Sequence, residues 1–216
     1  MRRLVVGIAV VALMAGWGWA WGDPALTGPT GLVTVPTADT LGLLKWNVGA
    51  SKVWTDDGPD ESAIYANLGL LPRLEVGFTR LKPEGGDAET VLNAKFRVIG
   101  LPGRITLAVG AVDLTDQMDQ SAYAVISHDL GAGVVSPKGQ LTRPQLHVGY
   151  GGGQFDGLFG GVSVIVGGKA DVMAEYDGDD FNMGVRWPII PKVLVTAAAM
   201  DGLSDLALGV CLKSPW

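Results

Sequence analysis

Eight polar side chains stand in runs that alternate with apolar residues: Glu75, Lys95, Arg97, His147, Glu175, Asp177, Asn182 and Arg186. They supply carboxylates, cations, an amide and an imidazole, the groups used in acid–base catalysis and metal binding. Their spacing assembles neither kind of site. His128 and His147, the two histidines, belong to different segments. Asp177-Gly178-Asp179-Asp180 could hold a calcium ion at a rim, but it lacks EF-hand spacing, and Asp-Gly is first a hairpin turn. Gly149 to Gly153 lacks the strand-to-helix setting of a phosphate loop. Gly161-Val162-Ser163 lacks the closing glycine of a nucleophile elbow, because Ile165 stands there. No enzyme and no cofactor are expected. The single Cys211 excludes an internal disulfide and a cysteine metal cluster.

The elements that must position these groups are strands. Residues 170–187, ADVMAEYDGDDFNMGVRW, read as two strands meeting at a tight turn. Val172, Ala174 and Tyr176 share one face, and Asp171, Met173, Glu175 and Asp177 the other. After the turn, Phe181, Met183, Val185 and Trp187 alternate with Asn182, Gly184 and Arg186. A short unit, apolar–any–apolar–Gly–apolar or small, recurs around Gly49, Gly77, Gly110, Gly149, Gly184 and Gly209. Self-similarity of this kind marks a repeated structural element. Further strands are expected at 63–69, 90–99, 121–127, 157–166, 170–177 and 193–200. The sum is an all-β chain of about twelve strands, most near the length of about 9–11 residues that a tilted membrane strand needs.

The turns alternate in chemistry. One set is acidic and glycine-rich: 55–62, 83–89, 114–120, 151–156, 177–180 and 201–205. The set between them carries proline or basic residues: 71–73, 100–104, 128–145, 167–169 and 188–192. In an up-and-down meander alternate turns lie at opposite ends, so one rim is acidic and the other Pro/basic. With both termini at the Pro/basic end, that end is expected to be periplasmic. The length of 128–145 departs from the short periplasmic turn of such barrels.

Composition agrees. Charged residues are 18% and hydrophobic ones 48% of 216, and 32 are glycine, against roughly 25% charged and 7% glycine in soluble domains. The net charge of -6 argues against nucleic acid as a partner. A sheet in lipid must satisfy every backbone group internally, so it closes. An Arg or Lys facing lipid at mid-depth costs about 2–4 kcal/mol. The eight polar side chains are therefore expected to line a lumen, and Glu75, Lys95, Arg97, Glu175, Asp177 and Arg186 to form a network there. The six repeat glycines fall on the same inward face and leave room along the wall. The outward set includes Val76, Phe78, Leu92, Phe96, Val109, Val172, Met183, Leu206 and Leu208. Trp46, Trp54, Tyr150, Tyr176, Phe181 and Trp187 sit toward strand ends, as an aromatic belt at the two interfaces of a bilayer would.

The chain divides into three: a secretory signal peptide (1–22), an irregular lead-in or plug (23–45) and the barrel (46–216). Arg2 and Arg3, the apolar run from Leu4 to Ala15 and the small residues Gly18 and Ala20 make the signal, with cleavage after Ala20 or Gly22. The prolines and glycines of 23–45 break any long helix or central strand. The final residues, ending in Trp216, have the aromatic end of a barrel insertion signal. Twelve strands lie between filled small barrels and open porins, so a narrow pore and a lumen occupied by 23–45 are both open.

Gly28-Pro29-Thr30-Gly31-Leu32-Val33-Thr34-Val35-Pro36-Thr37-Ala38, directly after a signal peptide, resembles the start of YjbH-like proteins. These are bacterial outer-membrane β-barrels linked to exopolysaccharide production and export. HVGYGGGQFDGLFGGVS (147–163) and MAEYDGDDFNMGVRW (173–187) resemble that family's repeated barrel strands. The resemblance implies a single outer-membrane barrel, with no catalytic motif to transfer. It makes polysaccharide or export-machinery proteins the partners besides the bilayer. Three functions follow: a passive pore or export accessory, a soluble secreted barrel binding a small apolar ligand, or a plugged structural barrel. The soluble reading requires Leu92, Phe96, Val109 and Leu208 to point inward.

Overall fold

The computed structural model describes residues 22–100, 105–131, 144–166 and 170–214. The expected signal up to residue 21, most of the long connection 128–145, the turns 101–104 and 167–169, and the terminal Trp216 lie outside the described residues. Twelve strands follow in chain order. They are β1 (Trp46–Trp54), β2 (Glu61–Leu71), β3 (Leu74–Pro83), β4 (Glu89–Gly100), β5 (Ile105–Val112) and β6 (Ser121–Asp129), then β7 (Pro144–Gly151), β8 (Gly157–Val166), β9 (Ala170–Tyr176), β10 (Phe181–Ile190), β11 (Val193–Met200) and β12 (Asp205–Lys213). Each pairs antiparallel with its sequence neighbours, and β1 also pairs with β12, which closes the barrel.

The ladder shifts register at Gly69/Leu71 in β2, Arg97/Ile99 in β4 and Pro188/Ile190 in β10. All three lie at the end that carries the termini. Bulges collect at barrel rims, where a residue can leave the ladder, and Pro188 lacks a ladder donor.

Strand alternation sorts the side chains. Phe78, Phe96 and Leu208 are each 43% exposed on the outer wall, whereas Glu75 and Arg186 are 2% and 3% exposed inside. A soluble barrel with an apolar pocket would show the reverse, so that reading is removed. The exposed aromatics of the expected belt form two groups. Trp46 and Trp187 lie toward the termini end, and Trp54, Tyr150 and Phe181 toward the far end. Tyr176 is half-buried there, its ring 5.2 Å from that of Phe181.

The interior is less polar than the sequence reading expects. Ala108, Tyr123, Val125, Phe159 and Met173 point inward from the wall and meet Leu26, Leu32, Val33 and Val35 of the N-terminal segment in one buried cluster. Phe155 joins it from the far-end turn 151–156, where an acidic exposed rim is expected; its ring sits 5.5 Å from Tyr123 and 5.0 Å from Phe159. The lumen thus has the apolar packing that a filled barrel requires.

Candidate functional site: the lumen and its N-terminal segment

Residues 22–41 lie within the barrel. Pro24, Pro29 and Pro36 lack amide donors, so the segment makes only fragments of structure. These are bridges between Pro24 and Thr30 and between Gly31 and Pro36, with Leu26 N–H donating to Val33 C=O at 2.9 Å. Its remaining backbone groups are buried and need partners. The barrel wall supplies them.

Glu75 on β3 accepts from Thr30 N–H (2.9 Å), from the Thr30 hydroxyl and from Leu41 N–H (2.8 Å). Glu175 on β9 accepts from Val33 N–H (2.8 Å), Thr34 N–H (2.7 Å) and the Thr34 hydroxyl (2.5 Å). Lys95 on β4 donates to the carbonyls of Thr30 (2.6 Å) and Thr37 (3.2 Å). Arg186 on β10 donates from Nη2 to the carbonyls of Pro24 (2.8 Å), Gly31 (3.0 Å) and Leu32 (2.8 Å). A buried charge is tolerated only when its lone pairs or protons are taken up. Here the segment supplies most of those partners, chiefly from its main chain.

This differs from the expected wall-to-wall network. Inward ion pairs among the described residues include Arg186–Asp171 (3.5 Å) and Lys213–Asp23 (2.8 Å). Arg97 is half-buried near the termini rim and donates to Pro72 C=O at 3.3 Å. Asp177 belongs to the far-end turn, where it accepts from the amides of Asp179 (3.1 Å) and Asp180 (2.9 Å) and from Asn182 Nδ2 (2.8 Å). That use of the carboxylate is an Asx turn, and no group of three metal-ligating side chains occurs among the described residues. Asn182 also donates to Glu175 at 3.2 Å. His147 is 1% exposed and lies between Ser127 Oγ (2.7 Å) and Ser163 Oγ (3.4 Å).

The repeat glycines are sites of close approach. Gly49, Gly110 and Gly149 stand directly opposite Tyr65, Tyr123 and Phe159, whose rings cover them. Gly77 stands opposite Asn67. Gly184 and Gly209 leave the space taken by Val33 and Leu26 of the segment, which lie 2.7 and 2.6 Å from where a Cβ would be.

Sequence reasoning missed several contributors: Ser51, Asn67 and Thr79, which donate to the carbonyls of Leu26, Gly28 and Thr27, Ser127, which accepts from Ala38 N–H, and the Lys213–Asp23 pair. The strand parity that selects Asn47, Gly49 and Gly209 also selects Ser51 and Lys213, so that signal was available.

A cavity of about 100 Å³ remains beside the segment at the termini end, with Asp39, Asp171 and Arg186 in its wall. No family model matches the chain, and no curated protein matches it. Among solved structures, a KdgM porin aligns with TM-score 0.57 and 6% identity over 79% of this chain and 99% of its own. A KdgM porin in complex with disordered oligogalacturonate aligns with TM-score 0.55 and 6% identity over the same shares. At that identity the likeness is one of fold. The fold is that of a bacterial outer-membrane barrel, and the apolar outer wall places the chain in that membrane.

Proposed function

We propose that the protein is a self-plugged outer-membrane barrel that serves surface exopolysaccharide export, as an accessory component or as a pore closed at rest by its own residues 22–41. The observation that carries the plug is the clamp of Glu75, Lys95, Glu175 and Arg186 on the segment's main chain. Support for the export role comes from the motif Gly28 to Ala38, which resembles YjbH-like proteins and lies within that segment. A neighbour of the same fold is a KdgM porin in complex with disordered oligogalacturonate, so a barrel of this shape can meet an acidic saccharide. The termini end is assigned to the periplasm, which puts the segment's exit at Leu43 and Leu44 within reach of export-machinery proteins.

Planar-bilayer conductance tests the reading. The full chain should give little steady current, and the double variant Glu75→Gln/Glu175→Gln, which weakens the clamp, should give discrete openings. Absence of current in both, and in a chain lacking 23–45, would remove the pore and leave a plugged structural barrel. The apolar cluster that seals mid-lumen is the specific observation favouring that second reading.

A further inference from the structure

We propose that the cavity at the termini end of the lumen binds a neutral hydroxyl-bearing ligand, a small polyol or the end of a saccharide chain. The choice of saccharide rests on the export reading above, and the proposal adds a site to it. Asp171 on β9 stands opposite both Arg186 on β10 and Ile165 on β8 in the strand registers. Arg186 reaches Asp171 Oδ2 through Nη1 alone, at 3.5 Å. That end-on contact leaves Arg186 Nε–H without an acceptor and Asp171 Oδ1 without a donor, both buried, among the described residues. Arg186 is 3% exposed, and both residues line the cavity. An unsatisfied buried polar atom costs about 1–3 kcal/mol. One hydroxyl group accepts from Nε–H and donates to Oδ1, which relieves both atoms.

Charge and shape narrow the ligand further. The carboxylates of the cavity already face cations: Asp23 pairs with Lys213 at 2.8 Å, Asp171 with Arg186, and Asp39 faces Lys95 and Arg97. A ligand with net charge would enter unmatched, at the cost of a buried ion. Ile165, Pro188 and Leu194 give the cavity an apolar wall for the C–H face of a polyol. Its volume of about 100 Å³, where about 10–15 Å³ suffices for one water, has room for a glycerol-sized fragment or the sugar ring at a chain end and not for a threaded chain.

Saturation-transfer NMR on the full chain in detergent micelles, with glycerol, glucose and glucuronate as probes, tests this. Glycerol and glucose should show transfer, with glucuronate weaker. Ile165→Phe, which fills the cavity from a residue outside the clamp, should reduce transfer at least fivefold while heat-modifiable migration persists. Leu194→Phe serves the same purpose if the first variant does not fold. Three results would overturn the proposal: no transfer from either neutral probe, which leaves water alone in the site; a signal indifferent to both filled variants; or glucuronate binding more tightly than glucose. The site is complete with the segment docked, so its failure is separate from a failure of the conductance experiment.

Discussion

Glu75 and Lys95 face one another across β3 and β4, yet they meet on a third residue, Thr30. Glu75 takes the amide and hydroxyl protons of Thr30, and Lys95 takes its carbonyl at 2.6 Å. A cross-strand acid–base pair normally contributes about 0.2–1 kcal/mol. Here both ions are buried and their bonding capacity is divided between each other's field and one peptide unit. The segment is therefore part of the electrostatic balance of the wall: while docked it excludes water from the two charges and supplies the hydrogen bonds that water would otherwise make.

Glu75→Ala should destabilise the folded chain by about 3–5 kcal/mol, because it leaves Lys95 as an uncompensated buried charge. The loss is read from the temperature at which heat-modifiable migration disappears. The double variant Glu75→Met/Lys95→Met should cost less than the two single changes together, since it removes both ions at once. Additive costs would mean that the two residues act independently.

Gly28→Ala should undock the segment and spare the strands. Gly28 has φ of +116°, and a Cβ there would collide with Thr79 Oγ1 and crowd Tyr65 Cβ. A non-glycine residue in such a conformation costs about 1–2 kcal/mol before any clash. Limited proteolysis should then cut within 22–41 while far-UV circular dichroism keeps its β signal. Equal protection of variant and parent would contradict the docking.

Gly149→Ala should cost about 1–3 kcal/mol through overpacking, since Phe159 lies across Gly149 on the neighbouring strand. The variant Gly149→Ala/Phe159→Leu should recover much of that loss. If the second change deepens it, the glycine serves some purpose other than room for the ring.

How far the fold was legible follows from these same residues. Alternation fixes parity, and parity puts Glu75, Glu175 and Arg186 on the face opposite Phe78, Val172 and Val185. It says nothing of what fills the lumen, because that depends on which strands closure sets across from one another. Strand β3 pairs locally with β2 and β4, while Glu75 bonds to Leu41, whose neighbours reach β6 through Ser127. Parity alone can join wall charges only to one another, because it carries no trace of a main chain in the lumen. Tyr123, Val125 and Phe159 also carry inward parity, but an apolar inward residue contradicts a water-filled lumen and agrees only with a filled one.

Val109→Arg should impair insertion. Val109 is 41% exposed in the middle of β5, opposite Phe96, and an arginine facing hydrocarbon at mid-depth costs about 2–4 kcal/mol. The folded fraction in lipid vesicles should fall, and an equivalent substitution at far-end Leu114, beyond the strand, should have little effect. Equal outcomes at the two positions would remove the lipid-facing assignment of β5.

Acid should loosen the far-end turn that follows β5. Asp113 sits there with φ of +58°. Burial opposes its ionisation, but the amides of Met118 (2.6 Å) and Gln117 (2.9 Å) and the Thr115 hydroxyl (2.8 Å) outweigh that and hold the carboxyl below its usual range. A carboxyl depressed by folding contributes stability that is present above its unfolded value, about 4, and is lost as pH falls through the lower folded value. Hydrogen exchange at Gln117 and Met118, corrected for intrinsic rates, should therefore be protected at neutral pH and accelerate on acidification. Asp113→Asn should exchange about tenfold faster at neutral pH, as expected for loss of a charge-assisted bond worth roughly 1.5 kcal/mol, and should lack the acid transition. A parent protein whose protection is flat across that range would show that the carboxylate does not hold the turn.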